Sequence, residues 1–172
     1  MTKRLGIIAF AAAGVVASQA GQARAQSSVG VGAETTLINS TFGLFDAGAL
    51  AFVYDAGSFH IDGLLTFISF EDNDLVFGVG GRAFFEVHES SRADFSLGGG
   101  LAIIHTDHDP DAQEDETDIV LEAAGKIRVY LASNVAVHTT LGLGILLADE
   151  GGDVFGLFGR LSGTLGITYF FR

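Results

Sequence analysis

Residues 157–171 alternate throughout. Leu157, Gly159, Leu161, Gly163, Leu165, Ile167, Tyr169 and Phe171 are apolar or glycine, while Phe158, Arg160, Ser162, Thr164, Gly166, Thr168 and Phe170 between them carry most of the polar groups. A repeat of two residues puts successive side chains on opposite faces of a β-strand. Similar alternation recurs from residue 29 onward, broken by turn-rich stretches, and predicts strands at 28–39, 44–55, 58–70, 75–88, 92–106, 118–132, 135–148 and 154–171. Eight strands with no helical segment between them fit an all-β, antiparallel up-and-down barrel, in which closure removes the exposed edges of an open sheet.

The connections alternate in character. Those at 39–43, 71–74, 107–117 and 149–153 form one set, and the tight ones at 55–58, 89–91 and Ser133-Asn134 form the other. Long loops on one side and short turns on the other are the asymmetry of outer-membrane barrels, with the short turns periplasmic. Period alone does not say which face points inward, because a soluble ligand-carrying barrel is the same pattern turned inside out. The content of the faces decides it. In the sixth strand Ile119, Leu121, Ala123, Gly125, Ile127, Val129 and Leu131 oppose Val120, Glu122, Ala124, Lys126, Arg128, Tyr130 and Ala132. A soluble barrel needs charged outer faces, whereas the polar faces here are largely Gly, Ala, Ser and Thr around a few ions, which suits a crowded interior. Residues 119–131 would extend about 40 Å at roughly 3.3 Å each. Tilted by ~45°, they span about 28 Å, close to the ~25 Å apolar band of such barrels. In the second strand, Leu44, Asp46, Gly48, Leu50, Phe52 and Tyr54 alternate with Phe45, Ala47, Ala49, Ala51, Val53 and Asp55. Keeping Asp46 out of the apolar band assigns Phe45, Ala47, Ala49, Ala51 and Val53 to the lipid side.

Lys3 and Arg4, the apolar run at 5–17 and the small residues of Ala23-Arg24-Ala25 read as a cleavable secretory signal over residues 1–25, leaving a barrel domain at 26–172. The run is shorter than the roughly 20 residues of a spanning helix. Removing residues 1–25 takes Lys3, Arg4 and Arg24 from the 9 basic residues and none from the 21 acidic ones, so 6 basic residues remain against 21 acidic. That balance argues against a nucleic-acid partner and against electrostatic docking on anionic lipid, both of which require clustered Lys and Arg. With no Cys, no disulfide supports the sheet, and its closure must provide the stability.

Inward polar faces would gather Glu34, Asp62, Glu86 and Glu122 against Arg82, Lys126, Arg128 and Arg160. Eight strands leave room only for side chains, so these ions are expected to plug the barrel by pairing rather than line a pore, with Lys126 or Arg128 meeting acids on neighbouring strands. His60, His88 and His138 fall on polar faces near the turn ends and are read as hydrogen-bonding plug residues, with a three-His metal site as the minor alternative. Asp107, Asp109, Asp111, Glu114, Asp115, Glu116 and Asp118 crowd the third outer loop. Their spacing lacks the glycine turn and ligand order of a calcium loop. A solvated acidic display is the first reading, and weak divalent-cation binding shared with lipopolysaccharide phosphates the second. No cofactor or dedicated metal site is expected.

Near the C-terminus, Gly166, Tyr169 and Phe171 stand at the spacing Gly-x-x-aromatic-x-aromatic, followed by Arg172. This tail resembles the signal that Gram-negative outer-membrane barrels present to the barrel-assembly machinery. Residues 26–172 as a whole resemble the small eight-stranded outer-membrane proteins typified by the transmembrane domain of outer membrane protein A and by outer membrane protein X. The resemblance implies a transmembrane β-barrel in the cell outer membrane, with membrane lipid, lipopolysaccharide and the assembly machinery as partners. A monomer is expected. No wall-binding domain is expected after the last strand. The resemblance carries no function-specific motif. The lipid A deacylase type has a His-x-Ser pair with a later Glu, and the nearest match is His138-Thr139-Thr140 with Glu150. Thr replaces Ser there, and the trio would be spread over about a membrane thickness, so an enzyme is not expected. The expected role is structural or surface-interacting, with a small-solute pore second and a lipid A-modifying enzyme third.

Overall fold

Alternating sequence becomes strand throughout the computed structural model, which describes residues 27–36, 48–69, 75–107, 115–148, 154–157 and 163–171. The strands are β1 (Ser28–Thr36), β2 (Ala49–Asp55), β3 (Phe59–Ser69), β4 (Leu75–Glu89), β5 (Ala93–Asp107), β6 (Glu116–Ala132), β7 (Val135–Leu147), β8 (Val154–Leu157) and β9 (Thr164–Phe171). Each of β1 to β7 pairs antiparallel with its successor, and β8 and β9 follow one another along the free edge of β7. β9 then pairs with β1, from Val29↔Phe171 to Thr36↔Thr164, and closes the sheet. The result is an all-β, eight-stave antiparallel barrel with no helix among the described residues. The expected signal at 1–25 lies outside the described residues.

The eighth stave is where the expected strand at 154–171 needs correction. Leu157 pairs with Leu143 and Thr164 with Thr140, so seven residue steps on this stave match three on β7. Gly163, at the point where pairing resumes, has a φ of 81°, in the left-handed region that residues with a Cβ rarely adopt. The surplus of four residues is even, so Phe155, Leu165, Ile167, Tyr169 and Phe171 all remain outward. An even slip leaves the alternation in phase, which is why the sequence reads as one unbroken strand.

In β4 and β2 side chains face otherwise than expected. The β4–β5 register shifts between Glu86 and His88, a β-bulge after which Val87, His88 and Glu89 are all exposed. His88 is therefore outside the barrel, contrary to the inward position expected for it. In β2 the expected faces are reversed: Leu50, Phe52 and Tyr54 are exposed, while Ala51, Val53 and Asp55 are buried. The large apolar groups take the outer wall, and the small ones fit the narrow interior. Asp46, on which that expectation turned, lies outside the described residues.

Along β6 the expected faces are observed, with Ile119, Leu121, Ala123, Ile127, Val129 and Leu131 exposed and Val120, Glu122, Ala124, Lys126 and Arg128 buried. The interior is layered. At the end opposite the tight turns, Ala51, Leu64, Val76, Ala102, Ile104 and Val120 form a buried apolar layer, with Ile68 and Leu146 against it. At the turn end Val53, Ala136 and Phe170 pack together beside Tyr130. Charged side chains occupy the space between.

Candidate functional site: the ionic interior

Arg82 of β4 and Asp62 of β3 are directly opposed in the register, and the guanidinium reaches the carboxylate at 3.2 Å. The same Nη2 donates to Glu34, which comes from β1 across the lumen. Lys126 of β6 crosses the lumen to Asp62, Nζ to Oδ2 at 2.6 Å. The Arg82 stem lies over Gly100, its cross-strand neighbour, where a Cβ would stand 2.5 Å from Arg82 Cγ. A missing side chain on one strand thus makes room for a long one on the next. Glu34 also bonds His138 of β7, Nε2 to Oε1 at 3.0 Å. All five side chains are at least nine-tenths buried.

A second group lies nearer the tight turns. Arg128 Nε donates to both oxygens of Asp94, at 2.9 and 3.0 Å, and Nη1 donates to Asp55 Oδ2 at 2.8 Å. The other oxygen of Asp55 accepts from the Gly57 amide at 2.8 Å, which ties the β2–β3 turn to the same carboxylate. Between the groups stands Phe84, fully buried, with His60 stacked on it at 5.2 Å. Lys126 Nζ and the Arg82 guanidinium sit 5.5 and 5.8 Å from the Phe84 ring centroid, within cation–π range.

The interior thus gathers Glu34, Asp62, Arg82, Glu122, Lys126 and Arg128 from the eight residues expected there. Lys126 finds its acid across the lumen rather than on a neighbouring strand, and both carboxylate oxygens of buried Glu122 lack a hydrogen-bond partner among the described residues. Glu122 departs from the expected pairing because its register neighbours on both sides, Gly100 and Gly144, have no side chain to meet it. Glu86 is half-buried just before the bulge and has no ion pair among the described residues; Arg160 lies outside them. Asp55 and Asp94 are the additions. Asp94 was legible as the inward residue two before Ser96 on the fifth strand, whereas the reversed faces of β2 and its turn-like position concealed Asp55.

The acidic stretch is shorter as a loop than expected. Asp107 ends β5, while Glu116 and Asp118 already belong to β6, opposite Thr106 and Ile104. Extended pairing of these rims holds Asp118 buried, and Asp115 is exposed just before β6. Asp109, Asp111 and Glu114 lie outside the described residues. In the His138-Thr139-Thr140 match, the imidazole Nε2 is engaged by Glu34 at 3.0 Å, and the hydroxyl of Thr140, which stands where the pattern has Ser, is buried on the same inward face without a hydrogen-bond partner among the described residues, so no hydrogen bond joins it to His138; Glu150 is outside the described residues. In the C-terminal segment Gly166 faces inward, and Tyr169 and Phe171 face outward with ring centroids 5.4 Å apart.

No protein-family model matches the sequence, and no curated protein matches it either. Solved structures do. The N-terminal β-barrel domain of Pseudomonas aeruginosa OprF is similar with a TM-score of 0.55 at 13% identity, over 85% of this chain and 100% of that domain. Neisserial surface protein A is similar with a TM-score of 0.50 at 13% identity, over 84% of this chain and 97% of that one. The fold is that of the small outer-membrane barrels. At this identity the likeness is one of architecture, a closed eight-stranded antiparallel barrel.

Proposed function

We propose that this protein is an integral outer-membrane barrel with a lumen plugged by its own side chains, serving a structural or surface-interaction role through acidic extracellular loops. The observation that carries this reading is the ion lattice in which Glu34, Asp62, Arg82 and Lys126 converge from β1, β3, β4 and β6. Apolar layers at both ends of the lumen, around Val76 and Ile104 on one side and Phe170 on the other, add to it. Aromatic groups outside the barrel support a membrane setting. Tyr54, Phe59, Phe85, Tyr169 and Phe171 lie toward the tight-turn end, and Phe67, Phe77 and Phe155 toward the other, in the manner of two interfacial girdles.

In this reading residues 1–25 direct export, and Gly166, Tyr169 and Phe171 are read by the barrel-assembly machinery. Outer-membrane lipid and lipopolysaccharide surround a monomer that has no enzymatic activity. The acidic stretch between β5 and β6 is a solvated acidic display. Reconstitution in a planar bilayer tests the plug: the protein is expected to produce no unitary conductance, and steady discrete openings would refute it. A small-solute pore is the second reading, favoured by the unpartnered carboxylate of Glu122. Such a pore would prefer cations and would lose that preference in Glu122→Gln.

A further inference from the structure

Gly166 of β9 has Glu34 of β1 opposite it on one side and His138 of β7 opposite it on the other. Because β1 and β9 are the first and last strands, this row of three crosses the seam at which the sheet closes. Strands separated by one intervening strand lie roughly 9–10 Å apart, and a side chain on the middle strand stands between those on the outer two. Here the middle residue has none. His138 reaches over it, and Nε2 meets Glu34 Oε1 at 3.0 Å with both residues buried. The imidazole fills the volume that a side chain at 166 would need: a Cβ there would stand 2.4 Å from His138 Nε2 and 2.6 Å from Cε1. Glu34 has little room to withdraw, since it is held from across the lumen by Arg82.

We propose that the Glu34–His138 bond over Gly166 is a closure clasp, joining β1 to β7 only once β9 has been zipped between them and requiring glycine at position 166. The folded barrel itself then needs this glycine, whatever factor reads the C-terminal segment during biogenesis. The inference concerns the seam, so it stands apart from whether the lumen conducts.

The test is refolding of the full chain from urea into phosphatidylcholine vesicles with no assembly factor present. The folded fraction is read from the mobility of unheated samples in gels and from protease resistance. Overpacking at a fixed site should lower the folded-to-unfolded ratio of Gly166→Ala by about tenfold. Removing the imidazole should restore most of that loss, so Gly166→Ala combined with His138→Ala is expected to fold nearly as well as His138→Ala alone. A small deficit should persist, because the Ala33 carbonyl oxygen lies 2.9 Å from the added Cβ. His138→Asn, with a shorter side chain, provides a second rescuing background. Wild-type folding of Gly166→Ala would overturn the clasp, as would double variants no better than Gly166→Ala in both backgrounds.

Discussion

A guanidinium inside a barrel of this width is tolerable only if its charge is met. Arg128 meets two carboxylates, Asp94 on the adjacent strand and Asp55 across the lumen. Replacing it with the shorter methionine fills the space of the stem but leaves both acids buried without their cation. Breaking a buried pair from one side typically costs about 3–5 kcal/mol. Arg128→Met is therefore expected to lower the urea midpoint in detergent clearly, and an unchanged midpoint would contradict the assignment. The basic half of this arrangement was legible because Arg82, Lys126 and Arg128 stand out on faces of small residues. The choice of partner was not, because alternation gives the face of a residue and says nothing of which far strand a long side chain will reach. Asp62 to Lys126 is such a contact across the barrel.

At the scale of the element, most strand positions followed from a period of two together with the turn-rich breaks. Two of the departures share one physical cause: a register change leaves little or no mark on local alternation. The bulge at Glu86/His88 turned His88 outward, and the even slip between β8 and β9 kept every outward residue in phase. That slip can be tested directly, since the chain has no native Cys to interfere. Leu143 faces Leu157 across the β7–β8 pair. Cysteines at 143 and 157 should therefore oxidise to a disulfide in folded protein, as opposed strand positions lie within bridging distance. Cysteines at 143 and 161, which the β7–β9 register would oppose if it ran on unbroken, should remain reduced. The opposite outcome would restore a continuous last strand.

For the whole molecule, the acid excess and the apolar surface are reconciled by geometry. Acids gather inside the wall and at its rims, at Glu34, Asp55, Asp62, Asp94, Asp118 and Glu122, while Phe52, Phe67, Phe85, Leu101, Ile127 and Phe171 stand on its outside. A soluble barrel with such an exterior would expose an apolar patch far beyond the few hundred Å² that monomers carry. Closure joins β9 to β1 without any disulfide, so the complete barrel depends on seam contacts and packing rather than on a covalent tie. Overall architecture was readable from the sequence because inside and outside differ in composition on nearly every strand. The layered interior was less so, because Val76, Ile104 and Val120 are apolar residues on faces otherwise taken for polar. In the proposed reading the apolar faces touch acyl chains and the ionic faces are sealed within. Spin labels placed singly on cysteines at residues 119–129, in vesicles, test it through collision with membrane-dissolved oxygen. High oxygen accessibility at 119, 121, 123, 127 and 129 with low values at 120, 122, 124, 126 and 128 is predicted, and the reverse alternation would contradict it.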